Sequence, residues 1–414
     1  MKAPRAPFYK RMWFFLLILG PGMVSAMAGN DAGGTATYSV IGANYGFKML
    51  WLLVIVGIGL ATIQEMCARM GVVTGKGLSD LIREEFGVRW TLFAMIILLV
   101  ANIAVTIAEF AGIAASLEIF GITRYLTIPI TAVFIWWLIT KGTYRFVERF
   151  FIAVCFIYFS YIISGLMAKP DWALVLQNTV VPHFEFKANF IMIAIAMIGT
   201  TITPWMQFYL QSSIVERGYK TRQYGMERWD VILGAVVAVV IAYFIIVACG
   251  ATLHTAGIQV HSAKDAALAL SPLVGSSAAM LFALGLFGSS FLGATILPLS
   301  SAYAICEAFG LENGISKKLS EAPVFFFLFT ALILIGAGVV LIPSVSLINV
   351  MVISQTANGI LLPFILIFML LLGNNKKLMG EHKNSAFYNI VIWGIALFLI
   401  LLTIILLFSS LVHF

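Results

Sequence analysis

Charge is what this sequence has least of. Lys, Arg, Asp and Glu make up 10% of its 414 residues, against 61% hydrophobic residues, where a soluble domain carries roughly a quarter charged residues. Such a chain cannot cover itself with polar groups, so the sequence reads as a polytopic membrane protein, and its length says nothing about soluble-domain number. Cysteine is scarce too. Cys67, Cys155, Cys249 and Cys306 are scattered through apolar segments without paired spacing, which indicates packing residues rather than a zinc site or a disulfide framework. No histidine stands in the middle of a span, and no acid pair sits at ligand spacing. A membrane-embedded enzyme would need a nucleophile–base pair or a metal-ligand constellation, so neither an enzyme nor a resident cofactor is expected.

What is present is a series of apolar runs long enough to span a bilayer, at about 13–43, 48–70, 90–119, 123–141, 147–168, 188–215, 230–253, 276–308, 323–343, 348–372 and 387–411. These predict eleven helices in one all-α transmembrane domain over 1–414, with no soluble domain between them. Basic residues cluster in alternate loops, among them Lys10 and Arg11, Arg69 to Arg89, Lys141 to Arg149, Arg217 to Arg228, Lys317 and Lys318, and Lys376 to Lys383. By the positive-inside rule this places the N-terminus in the cytoplasm of a plasma-membrane protein and, with eleven spans, the C-terminus outside. The net charge of +7 is then a topology signal, with the bilayer as partner and no nucleic-acid patch. A monomer is compatible with the sequence. The external loops 169–187 and 254–275 hold His183, His254 and His261, read as solvated and without a role. Lys10 and Arg11, the apolar run from Trp13 and Ala26-Met27-Ala28 loosely imitate a signal peptide; the glycine and threonine run continuing beyond Asp31 argues against cleavage there.

Inside the first span, Gly20-Pro-Gly22 and Gly29-Asn-Asp31-Ala-Gly33-Gly34 place one carboxylate, Asp31, at mid-membrane depth among glycines. A charge there is costly unless a cavity, a partner or a cation compensates it, and glycine lets irregular backbone turn carbonyls toward a ligand. The sixth span has Thr200, Thr203 and Pro204, then Gln207 and Gln211. Pro204 removes a backbone donor and predicts a break at Thr203 that frees carbonyls near Thr200. In the third span Asn102, Thr106 and Glu109 share a helix face, which predicts a water-filled path or packing against the cavity of Asp31. Glu65 and Arg69 predict a local ion pair, and Glu118 an interfacial snorkel. In the tenth span Gln355 is the residue of interest. Broken spans five helices apart are the pattern of an inverted repeat, with the site between the breaks: helices 1–5 in 1–168, helices 6–10 in 188–372, and an added helix at 387–411.

The runs Gly20-Pro-Gly22, Asp31-Ala-Gly-Gly34, Gly71-Val-Val-Thr-Gly-Lys76, Ala108-Glu-Phe-Ala-Gly112, Gly199-Thr-Thr-Ile-Thr-Pro204 and Leu210-Gln-Ser-Ser213 resemble the NRAMP divalent-metal transporters in order and spacing across spans one to ten. The resemblance implies the LeuT-type five-plus-five fold with unwound helices 1 and 6 and an eleventh helix. It also exposes departures. The family's Asp-Pro-Gly-Asn falls on Asp31 to Gly34, so its asparagine ligand is replaced by Gly34. Its Met-Pro-His falls on Thr203-Pro204-Trp205. Its third-helix aspartate falls on Thr106 while its glutamate is kept as Glu109, and the ninth span lacks the usual basic pair. These changes resemble the divergent NRAMP-related magnesium transporters. The expectation is an importer with Mg²⁺ or Mn²⁺ as transported substrate, not coupled to protons. Asp31, the Thr200 carbonyl, Thr203 and the Gly34 position would form the metal site, with Glu109, Asn102, Thr106, Trp205, Gln207, Gln211 and Gln355 around it or along the path. A proton-coupled Mn²⁺ or Fe²⁺ transporter and an organic-solute transporter on the same fold are the alternatives.

Overall fold

Backbone N–H and C=O groups in hydrocarbon have no water to bond, so apolar runs of this length satisfy themselves as helices. The computed structural model describes residues 20–141, 159–260, 276–343 and 347–412, and among them there is no strand. In chain order the helices are α1 (Pro21–Ala28), α2 (Ala32–Tyr45), α3 (Leu50–Thr74), α4 (Leu78–Glu118), α5 (Arg124–Lys141), α6 (Phe159–Met167), α7 (Trp172–Val180), α8 (Ala188–Thr201), α9 (Pro204–Glu216), α10 (Tyr224–Cys249), α11 (Ser276–Phe309), α12 (Pro323–Val340), α13 (Leu347–Asn374) and α14 (Ala386–Val412). The first span is α1 plus α2 and the sixth is α8 plus α9, each broken where glycine or proline predicts it. Most of the fifth span lies outside the described residues.

Three details differ from expectation. The third span starts earlier, at Leu78, and bends at Gly87, whose φ of 79° only glycine adopts at little cost. The loop 169–187 carries α7, capped by Asp171 accepting from the Ala173 and Leu174 N–H groups. His254 is exposed, as expected, but not in a loop: α10 runs on as a π-helical turn, Gly250–His254, and the His254 ring bonds the Ala43 carbonyl at the end of α2. His261 and Cys155 lie outside the described residues. Cys67, Cys249 and Cys306 are free and buried.

Polar anchors sit at the two ends of the bundle. At the end that carries most of the arginines, Arg69 pairs with Glu65 at 3.4 Å, as its spacing predicts. It also donates to the His382 carbonyl and to Asn384 Oδ1 and lies over the Tyr388 ring, so the pair fastens α3 to the start of α14. At the opposite end Lys187, His183 and Lys48 surround Glu185 and hold its carboxyl below the usual range, and Arg124 pairs with Glu118. α14 is the most lipid-facing span, with 28% of its apolar window buried.

Membrane helices approach through small residues. α8 and α13 nearly touch: a Cβ on Gly199 would sit 2.3 Å from Gly359 N and 2.5 Å from the Gln355 carbonyl oxygen. Because both obstacles are backbone, they cannot yield by a rotamer change. Gly199→Val is therefore expected to destabilise the folded protein by about 1–3 kcal/mol or more, read as a lower thermal midpoint in detergent micelles. An unchanged midpoint would mean that the two helices do not pack this closely.

Candidate metal centre

The first break is built around Asp31. α1 ends at Ala28 with Gly29 as its C-cap, and α2 starts one residue after Asp31, which serves as its N-cap: Oδ1 accepts the Gly34 N–H at 2.5 Å. A carboxylate at a helix N-terminus is stabilised by the unpaired N–H groups and by the helix dipole. Gln355 on α13 gives a second anchor, its Nε2 lying 3.1 Å from both Asp31 oxygens, while its Oε1 accepts from Asn358. Asp31 is 0% exposed, and no lysine or arginine pairs with it among the described residues.

Glu109 on α4 reaches the same turn. Its Oε2 accepts the Ala32 N–H at 3.0 Å, and its Oε1 is buried without a donor. Two carboxylates thus flank the first turn of α2, and Glu109 packs against Gly293 on α11.

Gly34 marks a notch. The point where its Cβ would lie is 2.8 Å from Thr200 Oγ1, 3.0 Å from the Gly29 carbonyl oxygen and 3.1 Å from Asp31 Oδ1. Three oxygens of different kinds therefore converge on the volume that an asparagine side chain would otherwise occupy. Thr200 Oγ1 is buried without a hydrogen-bond partner, and so is Thr203 Oγ1. Thr203 is the extended residue before α9 and makes no capping bond. Pro204 has no N–H to offer the Thr200 carbonyl. A buried hydroxyl left without a partner costs about 1–3 kcal/mol, and a cation accepted by these oxygens would remove that cost. The donor set is a carboxylate, hydroxyls and carbonyls, which suits Mg²⁺, Mn²⁺ or Ca²⁺.

The other candidate residues divide. Trp205 is wholly buried, its indole N–H has no acceptor, and its carbonyl receives the Ser300 hydroxyl. Gln207 leans back toward the Thr203 carbonyl at 3.5 Å, and its Oε1 is orphaned. Gln211 bonds the Lys76 carbonyl at 2.8 Å and so ties α9 to the turn between α3 and α4. The third-span stripe does not line a water path: Asn102 bonds Ser301 on α11, the Thr106 hydroxyl bonds the Asn102 carbonyl of its own helix, and the Thr106 methyl faces Gly336 on α12. Of those three residues, Glu109 alone reaches the break. Helical period fixes which residues share a face, not which neighbours that face meets.

Two participants were not visible in the sequence. One is the Gly29 carbonyl, because backbone ligands leave no residue-type signal. The other is Met206, one turn into α9: its methyl packs against Gly29, its sulfur lies 3.5 Å from the Gly29 Cβ position, and Gln64 Nε2 donates to that sulfur at 3.8 Å. The Gly29–Met206 approach places a thioether from α9 near the break.

The site is closed on both sides. Tyr38 OH bonds Thr201 Oγ1 at 2.8 Å and links the two broken spans on one side. On the other, the Cys67 thiol bonds the Gln207 carbonyl, and Asp230 on α10 accepts the N–H groups of Gly20, Gly22 and Met23 at the start of α1.

This pairing of two interrupted helices about a buried carboxylate coincides with a family match over residues 22–409, to the model described as Nramp, natural resistance-associated macrophage protein-like. The chain belongs to the Nramp family. Among its relatives, a divalent metal cation transporter MntH of Listeria innocua is 28% identical over 428 residues, covering 98% of this chain and 92% of the relative. The fold is that of a manganese transporter of Eremococcus coleocola, with a TM-score of 0.75 at 20% identity over 99% of this chain and 88% of that one. It extends to MhsT, solved with L-phenylalanine, at a TM-score of 0.60 and 14% identity over 94% and 98% of the two chains. The Nramp chain therefore has the LeuT-type architecture expected of it.

The notch predicts the effect of filling it. Gly34→Val in this Nramp chain is expected to lower divalent-cation affinity at least about tenfold, measured by calorimetry on the purified protein with its thermal midpoint as the folding control. Undiminished Mg²⁺ and Mn²⁺ binding by the folded variant would show that the cation does not lie among Thr200, Gly29 and Asp31.

Proposed function

We propose that the protein imports divalent cations across the plasma membrane, with Mg²⁺ preferred and Mn²⁺ accepted, and that import is not coupled to protons. The observation that carries this reading is the convergence of Asp31 Oδ1, Thr200 Oγ1 and the Gly29 carbonyl on the Gly34 notch. It is an all-oxygen donor set with no side chain standing between its members. Mg²⁺ gives up its water reluctantly and keeps several of them, so a site with few protein ligands favours it. The relatives named divalent metal cation transporters support the cation class. The tight convergence disfavours an organic solute: three oxygens lie within about 3 Å of one point, a spacing suited to a single ion.

A second reading, Mn²⁺ as the principal cargo, is favoured by Met206. Its thioether lies beside Gly29, and soft sulfur selects transition metals over Mg²⁺. That sulfur already receives the Gln64 amide, which weighs toward the first reading.

Uptake into proteoliposomes loaded with a metal indicator separates the two. Wild type is expected to take up both Mg²⁺ and Mn²⁺, with affinities in the micromolar to millimolar range. Asp31→Ala is expected to abolish both without loss of fold. Uptake of Mn²⁺ and Cd²⁺ with none of Mg²⁺ would establish the second reading, and unchanged uptake by Asp31→Ala would remove Asp31 from the site.

The reading of uncoupled import rests on two missing titratable side chains, with Asp31 and Glu109 the acids that remain. Histidine is the side chain whose ordinary pKa suits proton exchange near neutrality, and Trp205 and Thr106 occupy the positions where the family resemblance places a histidine and an aspartate. Two charges crossing ~100 mV release about 4.6 kcal/mol, which drives Mg²⁺ inward without a proton. A pH dye trapped in the same vesicles is expected to stay constant during influx. Acidification that tracks the metal and vanishes in Glu109→Gln would show that Glu109 carries a proton after all.

A further inference from the structure

Toward the arginine-rich end, the protein buries a second carboxylate that the central site does not use. Glu307, near the end of α11, is 7% exposed, and its Oε2 has no hydrogen-bond partner. Its carboxylate lies directly on Gly77, the residue before α4: a Cβ there would fall 2.0 Å from Oε2, 2.3 Å from Cδ and 2.7 Å from Oε1. Asp80, three residues on, lies near the Gly77 N–H and is half-exposed. The Ser212 hydroxyl of α9, which donates to the Phe208 carbonyl at 2.9 Å, lies beside Glu307, and Glu216 is a further acid nearby. Among the described ion pairs none includes Glu307. The adjacent bases are engaged elsewhere: Arg83 donates to the Ala308 carbonyl and Lys76 pairs with Glu84.

This group is joined to the central site by a continuous run of contacts. Gln207 follows Thr203 by one helical turn, the Cys67 thiol touches both the Gln207 carbonyl and Gln211 Oε1, Gln211 holds the Lys76 carbonyl, and Lys76 precedes Gly77. Along the run, Thr200 Oγ1, Thr203 Oγ1, Gln207 Oε1 and Glu307 Oε2 are all buried oxygens without donors. Each of these oxygens has lone pairs free to coordinate a cation. A buried carboxylate oxygen without a donor carries a large desolvation cost, and a bound cation offsets it.

We propose that Glu307 and Asp80, with the Ser212 hydroxyl, form a second divalent-cation site, on the path between the Asp31 site and the arginine-rich face. Glu307 receives the ion from the Gln207 end, and half-exposed Asp80 passes it to water. With two carboxylates at the mouth, the ion leaving Asp31 meets a negative potential rather than bare hydrocarbon. The proposal deepens the reading of the protein as a cation importer and rests on it.

The test is Mn²⁺ titration of the purified full chain, with free Mn²⁺ counted by its paramagnetic resonance signal. Wild type is expected to hold two Mn²⁺ ions, one more weakly than the other. Asp31→Ala is expected to keep one weak site, and Asp31→Ala with Glu307→Gln none. Asp80→Asn on the Asp31→Ala background, a change at a half-exposed position that does not threaten folding, is expected to weaken the remaining site about tenfold. In proteoliposomes Glu307→Gln is expected to slow Mn²⁺ uptake several-fold with little change in the concentration for half-maximal rate, as for a release step. A folded Asp31→Ala protein that binds no Mn²⁺, or one whose residual site survives both Glu307→Gln and Asp80→Asn, overturns the proposal. If wild type binds one ion and Asp31→Ala retains it while Glu307→Gln loses it, the second site stands and the assignment of Asp31 fails.

Discussion

A carboxylate held inside a membrane protein without a basic partner is the constraint that organises this structure. Asp31 is fully buried, and the groups that answer it are dipoles: the Gly34 N–H, the Gln355 amide, and the N-terminal turn of α2. Hydrogen bonds to a charged group are worth about 1.5–3 kcal/mol each, well short of the desolvation cost of a charge at this depth. An arginine would close the gap permanently and make the site structural. Leaving the gap open suits the proposed role, in which a mobile cation is the missing partner. The break in α1–α2 follows, because only an interrupted helix presents free N–H groups and free carbonyls at one depth.

Around this break, glycine acts through proximity. At Gly33 a Cβ would meet Gln355 Nε2 at 2.2 Å, at Gly29 the Met206 methyl at 1.9 Å, and at Gly112 the Ala32 Cβ at 2.4 Å. The three glycines let α13, α9 and α4 close on the same turn, so Gln355 reaches Asp31 and Glu109 reaches Ala32. Gly34 differs. Its missing side chain is met by oxygen atoms on three sides and not by packing carbon, which distinguishes a binding notch from a close helix contact.

Both breaks were legible in the sequence because they are written in residue types: glycine about an isolated acid in one span, proline after threonines in the other. Gln355 was legible as an amide in an apolar run. The third-span stripe was only half legible, since period 3.6 groups Asn102, Thr106 and Glu109 but says nothing of Ser301 or Gly336, which decide what two of them do. The Gly29 carbonyl could not be read at all, because every residue has one, and Met206 looked like any core methionine until the close approach of α9 to Gly29 gave it a place. The helix α7 had a readable signal in Asp171, an N-cap three residues before an apolar position, within a stretch dismissed as loop.

A transport site must hold its ion and also let it go, and the geometry of Asp31 bears on that balance. Both of its oxygens share the Gln355 amide, and one also takes the Gly34 N–H. In the proposed role, an arriving cation would compete with donors already in place, and on its departure they would return to the carboxylate. The charge is never left bare in either state, which lowers affinity and lowers the barrier to release together. The same logic extends along α9, where Thr203 and Gln207 offer oxygen without donors: each is a weak acceptor one helical turn from the next, close enough to share an ion and too weak to trap it.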